Sequence, residues 1–171
     1  MGVNKLNPIY ILEGIDGSGK TTLANAITAK TKGHILHSSF NKKWDIEEYH
    51  TDIIESALIL AQYQPVIIDR WAPSEFVYST VFRDGVSYDT GQLIEEYFNN
   101  IKYWIYCRSD NAVENHLKNK TERIEMFEDM ADVIDCFDEY VQYTRNNWIH
   151  IPWKEYDFEK LNIKEFVESI T

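Results

Sequence analysis

Fifteen residues near the start of the chain, Ile9-Tyr-Ile-Leu-Glu-Gly-Ile-Asp-Gly-Ser-Gly-Lys-Thr-Thr-Leu23, hold the side chains best suited to handling phosphate. Gly14, Gly17 and Gly19 let the backbone bend and turn several N–H groups toward one point at the start of a helix, where an anion is stabilised. Lys20 can reach the outer phosphates of a nucleoside triphosphate, and the Thr21 hydroxyl can ligate Mg²⁺ beside them. Ser18 and Thr22 complete the donor set, and Gly14-x4-Gly19-Lys20-Thr21 is the full phosphate-binding loop pattern. A dinucleotide site fits less well, because Gly17-Ser-Gly19-Lys-Thr-Thr22 lacks the third glycine of that fingerprint. Asp16 sets a carboxylate among the expected phosphates, which is costly unless it serves a cation or a sugar hydroxyl. Glu13 is open between a structural role and a site role. Further on, Val66-Ile-Ile-Asp-Arg-Trp71 is an apolar run that ends in charge, and Asp69 is placed to hold Mg²⁺ directly or through water.

The elements that must position these residues alternate between strand and helix. Ile9 to Leu12 reads as a strand. A helix follows to about Lys32, with Leu23, Ala26 and Ile27 on one side and Gly33 as its stop. His34 to Phe40 is a second strand. Asp45 with Glu48 resembles a capping box ahead of Tyr49, Ile53, Ala57, Leu58 and Ala61 at helical spacing, ending near Gln64-Pro65. A buried strand at 66–71 precedes a helix from Ser74 to about Phe82, a turn at Asp84-Gly85 and a helix from Asp89 through Phe98. Tyr103-Trp-Ile-Tyr-Cys107 is a fourth strand and Asn147-Trp-Ile-His-Ile151 a fifth. Between them Phe127, Met130, Ile134, Phe137, Val141 and Thr144 form one long helical seam. Phe158, Leu161, Phe166 and Ile170 predict a closing helix. This order predicts an α/β fold, a five-stranded parallel sheet with helices on both faces, in one domain over 1–171.

The formal charge of −11 disfavours broad nucleic-acid binding, which needs clustered Lys and Arg, but leaves small anionic substrates open. No run is long enough to span a membrane and the N-terminal residues do not read as a signal peptide, so a cytoplasmic protein is expected. Cys107 and Cys136 lack metal-ligand spacing and are expected as reduced thiols, and the five histidines form no metal motif.

Three stretches together resemble the signatures of thymidylate kinases: Ile11-Leu-Glu-Gly-Ile-Asp-Gly-Ser-Gly-Lys-Thr-Thr22, Asp69-Arg-Trp-x-x-Ser-x-x-x-Tyr78, and Glu122-Arg-Ile-Glu125 ahead of a long helix. The resemblance implies a nucleotide kinase fold with a short lid at about 116–124 and ATP and Mg²⁺ as cofactors; the family's members are usually homodimers, and the shortened middle of this chain leaves its own oligomeric state open. It assigns Asp16 to the acceptor's 3′-hydroxyl, with Asp16 also a candidate beside Thr21 and Asp69 for the metal. Arg70 would bridge the acceptor phosphate and the terminal phosphate of ATP, and Arg123 would serve the donor phosphates or stack on adenine. Lys118 and Lys120 stand where the family carries lid arginines and lack their bidentate fork. Trp71 is open between core packing and substrate contact, Ser74 is expected to cap the following helix at the substrate side, Glu75 could face the base edge, and Tyr78 would crowd a ribose 2′-hydroxyl. Between Lys20 and Asp69 the chain is shorter than the family, and His37-Ser-Ser-Phe40 replaces an expected Glu-Pro. Phe40, Trp44 and Tyr49 are the aromatic candidates to cover the base, and Pro152-Trp-Lys-Glu-Tyr156, after the expected last strand, is where adenine contacts would fall.

The reading predicts ATP-dependent phosphorylation of a deoxypyrimidine monophosphate, dTMP foremost, by a compact, phage-like version of the family. Two alternatives stand: a kinase for another acceptor, either a modified pyrimidine monophosphate such as 5-hydroxymethyl-dUMP or a deoxynucleoside, and a nucleotide-binding switch or ATPase module.

Overall fold

The apolar run at the start of the loop motif forms strand β1 (Ile9–Glu13), every residue of which is buried in a computed structural model describing residues 6–39, 41, 43–111, 114, 127–146 and 150–171. The other strands are β2 (His34–His37), β3 (Val66–Asp69), β4 (Tyr103–Cys107) and β5 (Lys154–Tyr156). All pair in parallel in the order β2-β3-β1-β4-β5, with Leu12 and His37 both registered against Asp69 and Glu13 against Tyr106. Parallel pairing gathers Glu13, His37, Asp69 and Cys107 at one end of the sheet, where open α/β sheets place ligands.

Among the described residues the helices are α1 (Lys20–Thr31), α2 (Ile46–Leu60), α3 (Ala72–Phe82), α4 (Thr90–Tyr97), α5 (Phe127–Asn146) and α6 (Ile163–Ile170). Strand alternation divides the core into two layers. Tyr10, Leu12, Ile67, Ile105 and Cys107 pack with α1 and α6 on one face. Ile9, Ile11, Ile68, Trp104 and Tyr106 pack with α2 to α5 on the other. The same period of two sends Glu13 toward the α3 face. The chain therefore leaves β1 and β3, hydrogen-bonded neighbours, toward opposite faces, which opens a switch point between them.

Local chemistry explains the helix starts. The Asp45 carboxylate accepts the Glu48 N–H, Asp89 accepts from Gly91 and Gln92, and Asn162 accepts from Lys164 and Glu165. The Asp84-Gly85 turn carries two positive φ angles, 58° and 120°.

Four expectations need correction. The fifth strand is Lys154–Tyr156 rather than 147–151; residues 147–149 lie outside the described residues, and Ile151 is a buried core residue whose N–H bonds to Thr144 O in place of a strand partner. The second strand stops at His37, whose pairing with Asp69 is closed by the Ser38 N–H on the Asp69 carbonyl, 3.0 Å, and Phe40 lies outside the described residues. The first long helix ends where expected, at Thr31 with Lys32 as its C-cap, but Lys32 itself and not Gly33 takes the left-handed state that stops it, φ 60°. The closing helix begins at Ile163, so Phe158 and Leu161 belong to the loop before it. No helix among the described residues is long and apolar enough to cross a membrane.

Candidate functional site

The loop after β1 is shaped by close approach. Gly14 has φ 134°, and a Cβ there would lie 2.2 Å from the Cys107 carbonyl oxygen of neighbouring β4. Gly19, φ 84°, is the N-cap of α1, and among the described residues no side chain caps that helix start, which leaves first-turn N–H donors for an anion. Ser18 Oγ and Lys20 Nζ both donate to the Ile15 carbonyl, at 2.7 and 2.5 Å. Burial lowers the Lys20 ammonium to about 8, with the Arg70 charge adding to the effect. An ammonium with one carbonyl as its partner among the described residues is under-coordinated, and phosphate oxygens would be stronger partners. Thr21 and Thr22 are exposed at the mouth of the loop.

Opposite the loop stands the β3–α3 turn. Arg70 has φ 72°, uncommon for a residue with a side chain, and its Nη2 donates to Asp16 Oδ1 at 2.6 Å. Its guanidinium lies 5.0 Å from the centre of the Tyr78 ring. The phosphate loop and the arginine thus meet in one place. Asp69 is 5% exposed, and its Oδ2 lies 3.1 Å from His37 Nδ1. Asp69 Oδ1 is buried without a hydrogen-bond partner among the described residues, which fits an atom waiting for a cation or its water. No three His, Cys, Asp or Glu side chains converge to hold a metal among the described residues, so Mg²⁺ here would take most ligands from phosphates and water.

Several predicted residues take other places. Trp71 is fully buried, donates Nε1 to the His50 carbonyl and packs on Trp104, so of its two readings the core one describes it. Ser74 does not cap a helix, because α3 begins at Ala72; its Oγ donates to Glu13 Oε2 instead. Glu75 is buried with Oε2 on Arg83 at 2.8 Å and Oε1 without a hydrogen-bond partner among the described residues. Tyr78 packs on Phe82 and Phe137 below Arg70. Trp44 is exposed and tilted against Tyr49, whose hydroxyl accepts the Ser39 N–H. Phe40, Lys118, Lys120, Arg123 and the rest of the expected lid lie outside the described residues.

The segment offered for adenine contacts contains β5 itself, so the stretch after the last strand is 157–162. It borders a cavity of about 410 Å³ lined by Thr22, Tyr156, Phe158, Leu161 and Asn162. Phe158 reaches within 3.0 Å of where a Gly19 Cβ would stand, which puts the cavity directly beside the phosphate loop. Sequence reading missed Phe158 because it took that residue into the closing helix. A larger cavity, about 750 Å³, lies between α3, the start of α4 and α5, lined by Phe76, Asp89, Tyr140 and Tyr143 among others. It contains none of the loop residues, Asp69 or Arg70, and size alone is a poor guide to the chemistry here.

His37 was also missed as a neighbour of Asp69, and His50 as a buried link behind it. His50 is buried, its Nδ1 2.6 Å from the Tyr88 hydroxyl and its Nε2 3.3 Å from Ser38 Oγ. Burial, with Arg83 adding to it, lowers its imidazole to about 4.

No protein-family model matches the chain, and no curated protein does. Solved structures do. The YorR protein of Bacillus subtilis, in complex with phosphorylated GDP, superposes with a TM-score of 0.72 at 20% identity, covering 95% of this chain and 92% of that one. Deoxyadenosine kinase from M. mycoides, with dCMP and dCDP bound, gives 0.64 at 19% identity, covering 95% and 96%. Thymidylate kinase from Candida albicans gives 0.58 at 16% identity, covering 96% and 89%. The chain shares its fold, a phosphate-loop nucleotide kinase fold, with these proteins.

Proposed function

We propose that this protein is a phosphotransferase moving the terminal phosphate of ATP to a deoxypyrimidine monophosphate, dTMP foremost. The observation that carries the reading is the 2.6 Å contact between Arg70 and Asp16, which joins a loop built for a triphosphate to a guanidinium suited to a second phosphate. An acceptor phosphate oxygen attacks the γ-phosphorus in line, the bond to the bridging oxygen breaks, and ADP leaves with that oxygen's electron pair. The acceptor is already anionic at neutral pH, so no base is required. The protein supplies alignment and charge neutralisation. Lys20 exchanges the Ile15 carbonyl for the outer donor phosphates, and Arg70 bridges donor and acceptor. Asp16 keeps Arg70 in place and takes the acceptor's 3′-hydroxyl. Thr21 and Asp69, with Asp16 nearby, would hold Mg²⁺, which when bound neutralises the phosphate tail. Ser18, Thr22 and the amides of Gly14, Gly17 and Gly19 line the phosphates, with the 410 Å³ cavity for adenine. Tyr78, Glu75, Trp44 and Phe40 are assigned to the acceptor, and Arg123 to the closing lid.

A deoxynucleoside acceptor is the second reading, favoured by the likeness to deoxyadenosine kinase and by His37, which stands at the end of β2 beside Asp69. Incubation with ATP, Mg²⁺ and a panel of deoxynucleosides and their monophosphates decides between them, the product being read by mass. A diphosphate product from dTMP supports the first reading, and a monophosphate from a nucleoside supports the second. ATP hydrolysis undiminished without any acceptor, and no transfer to any, would sink both and point to a switch or ATPase module.

A further inference from the structure

Glu13 is the last residue of β1 and its side chain is fully buried, an arrangement that is costly for a carboxylate unless it is well bonded. Its two oxygens go to one short stretch of chain on the neighbouring strand's exit. Oε1 accepts the Trp71 N–H at 2.8 Å, and Oε2 accepts the Ser74 hydroxyl. Those two partners bracket the first turn of α3. Trp71 is the N-cap of that helix and no side chain of the helix itself caps its start, so the carboxylate that would normally come from within the helix comes from β1. The residue just before the clamp is Arg70, whose backbone N–H bonds to the Leu12 carbonyl at 3.0 Å and whose φ of 72° is strained for a residue with a Cβ.

We propose that Glu13 is a positioning residue for Arg70: by gripping Trp71 N–H and Ser74 from the strand that carries the phosphate loop, it holds the β3–α3 turn in its left-handed state and aims the guanidinium at the loop. A strained backbone persists only where surrounding bonds over-determine it, and here the bonds on either side of Arg70 come from consecutive residues of β1, Leu12 and Glu13. One strand end then sets both halves of the reaction, the donor loop through Gly14 and the bridging arginine through Glu13. Burial pushes the Glu13 carboxyl up to about 8, against the bonds from Ser74 and Trp71 and the charges of Arg70 and Lys20. Glutamine at this position can therefore keep the clamp: its carbonyl accepts the Trp71 N–H, and its amide donates to Ser74, whose hydroxyl can turn to accept.

The proposal rests on the phosphotransferase reading for its kinetic readout but not for its structural one. The test compares the full chain with Glu13→Ala, Glu13→Gln, Arg70→Ala and the Glu13→Ala/Arg70→Ala double variant. Glu13→Ala is expected to lower kcat more than tenfold with the ATP Kd within twofold, while Glu13→Gln stays within a few-fold of wild type. In the Arg70→Ala background Glu13→Ala should have no further effect, because its role is exerted through that arginine. Hydrogen exchange at the Trp71 amide should be slow in wild type and Glu13→Gln and fast in Glu13→Ala. An unchanged kcat in Glu13→Ala, or an equal loss with and without Arg70, overturns the proposal, as does a Trp71 amide that remains protected in Glu13→Ala. Should Glu13→Ala not fold, Ser74→Ala, which removes one of the two clamp bonds, carries the same cycle with Arg70→Ala, and additive losses overturn the proposal. Absence of transfer by wild type refutes the assigned reaction alone, since the amide measurement still decides whether Glu13 clamps the turn.

Discussion

Lys20 rests on the Ile15 carbonyl within a buried loop, and among the described residues no carboxylate is bonded directly to its charge. Removing the ammonium leaves the loop amides to neutralise the phosphates alone. Lys20→Ala should therefore lower transfer by roughly 10²–10³, measured as kcat at saturating ATP; retention of more than a tenth of wild-type activity would remove Lys20 from the reaction. Gly14 faces a harder steric limit. A methyl group there meets the Cys107 backbone carbonyl, which cannot move without displacing β4, and φ 134° is unfavourable for alanine. Gly14→Ala is expected to abolish nucleotide binding in a titration and to lower the Tm; a variant that binds ATP as wild type does would show that the loop relaxes freely.

At the scale of elements, the caps are the local devices that place the site. The Asp89 carboxylate accepts from the Gly91 and Gln92 N–H groups at the start of α4, and these donors lose their partner if it is truncated. Asp89→Ala should cost about 1 kcal/mol, seen as a lower urea midpoint with unchanged slope. A loss indistinguishable from zero would mean that water replaces the carboxylate at no cost. This cap was legible in the sequence, as was the Asp45 cap of α2, because both depend on residues two or three positions apart. The start of α3 was not legible. Its N-cap, Trp71, offers no capping side chain, and the carboxylate that serves it comes from Glu13, 58 residues earlier. The error over β5 has a related cause. Trp-Ile-His-Ile is strand-like by type, yet Ile151 is consumed by the core between α5 and the sheet, and the pairing with β4 falls to Lys154–Tyr156.

At the scale of the molecule, His50 links three elements through its contacts with Ser38, Tyr88 and Trp71. Its folded pKa, about 4, lies below the ordinary 6.5, so the unfolded chain binds the extra proton in that window. Stability from this group is complete above pH 6.5 and declines as pH falls toward 4, by roughly 2 kcal/mol at pH 5. Urea unfolding of wild type and His50→Gln at pH 7.5 and pH 5 checks this, since the exposed carboxylates are common to both chains. The stability gap between the two should narrow on acidification; a constant gap would show that His50 protonates without penalty.

What the sequence determined by itself were features encoded over short spans: the phosphate loop, the strands flanking it, two of the helix caps and the alternation that implies a parallel sheet. These depend on neighbouring residue types, on glycine's backbone freedom and on apolar periodicity. Tertiary structure alone decided the rest. It buried Trp71 while leaving the Arg70 side chain partly exposed, joined Asp16 to Arg70 across 54 residues, turned Glu13 toward α3 and laid Phe158 beside Gly19. The contacts of Asp16 and Glu13 follow from the register of β1 beside β3, and the place of Phe158 from the pairing of β5 with β4; a register is a property of strands distant in sequence that become neighbours only when the sheet forms.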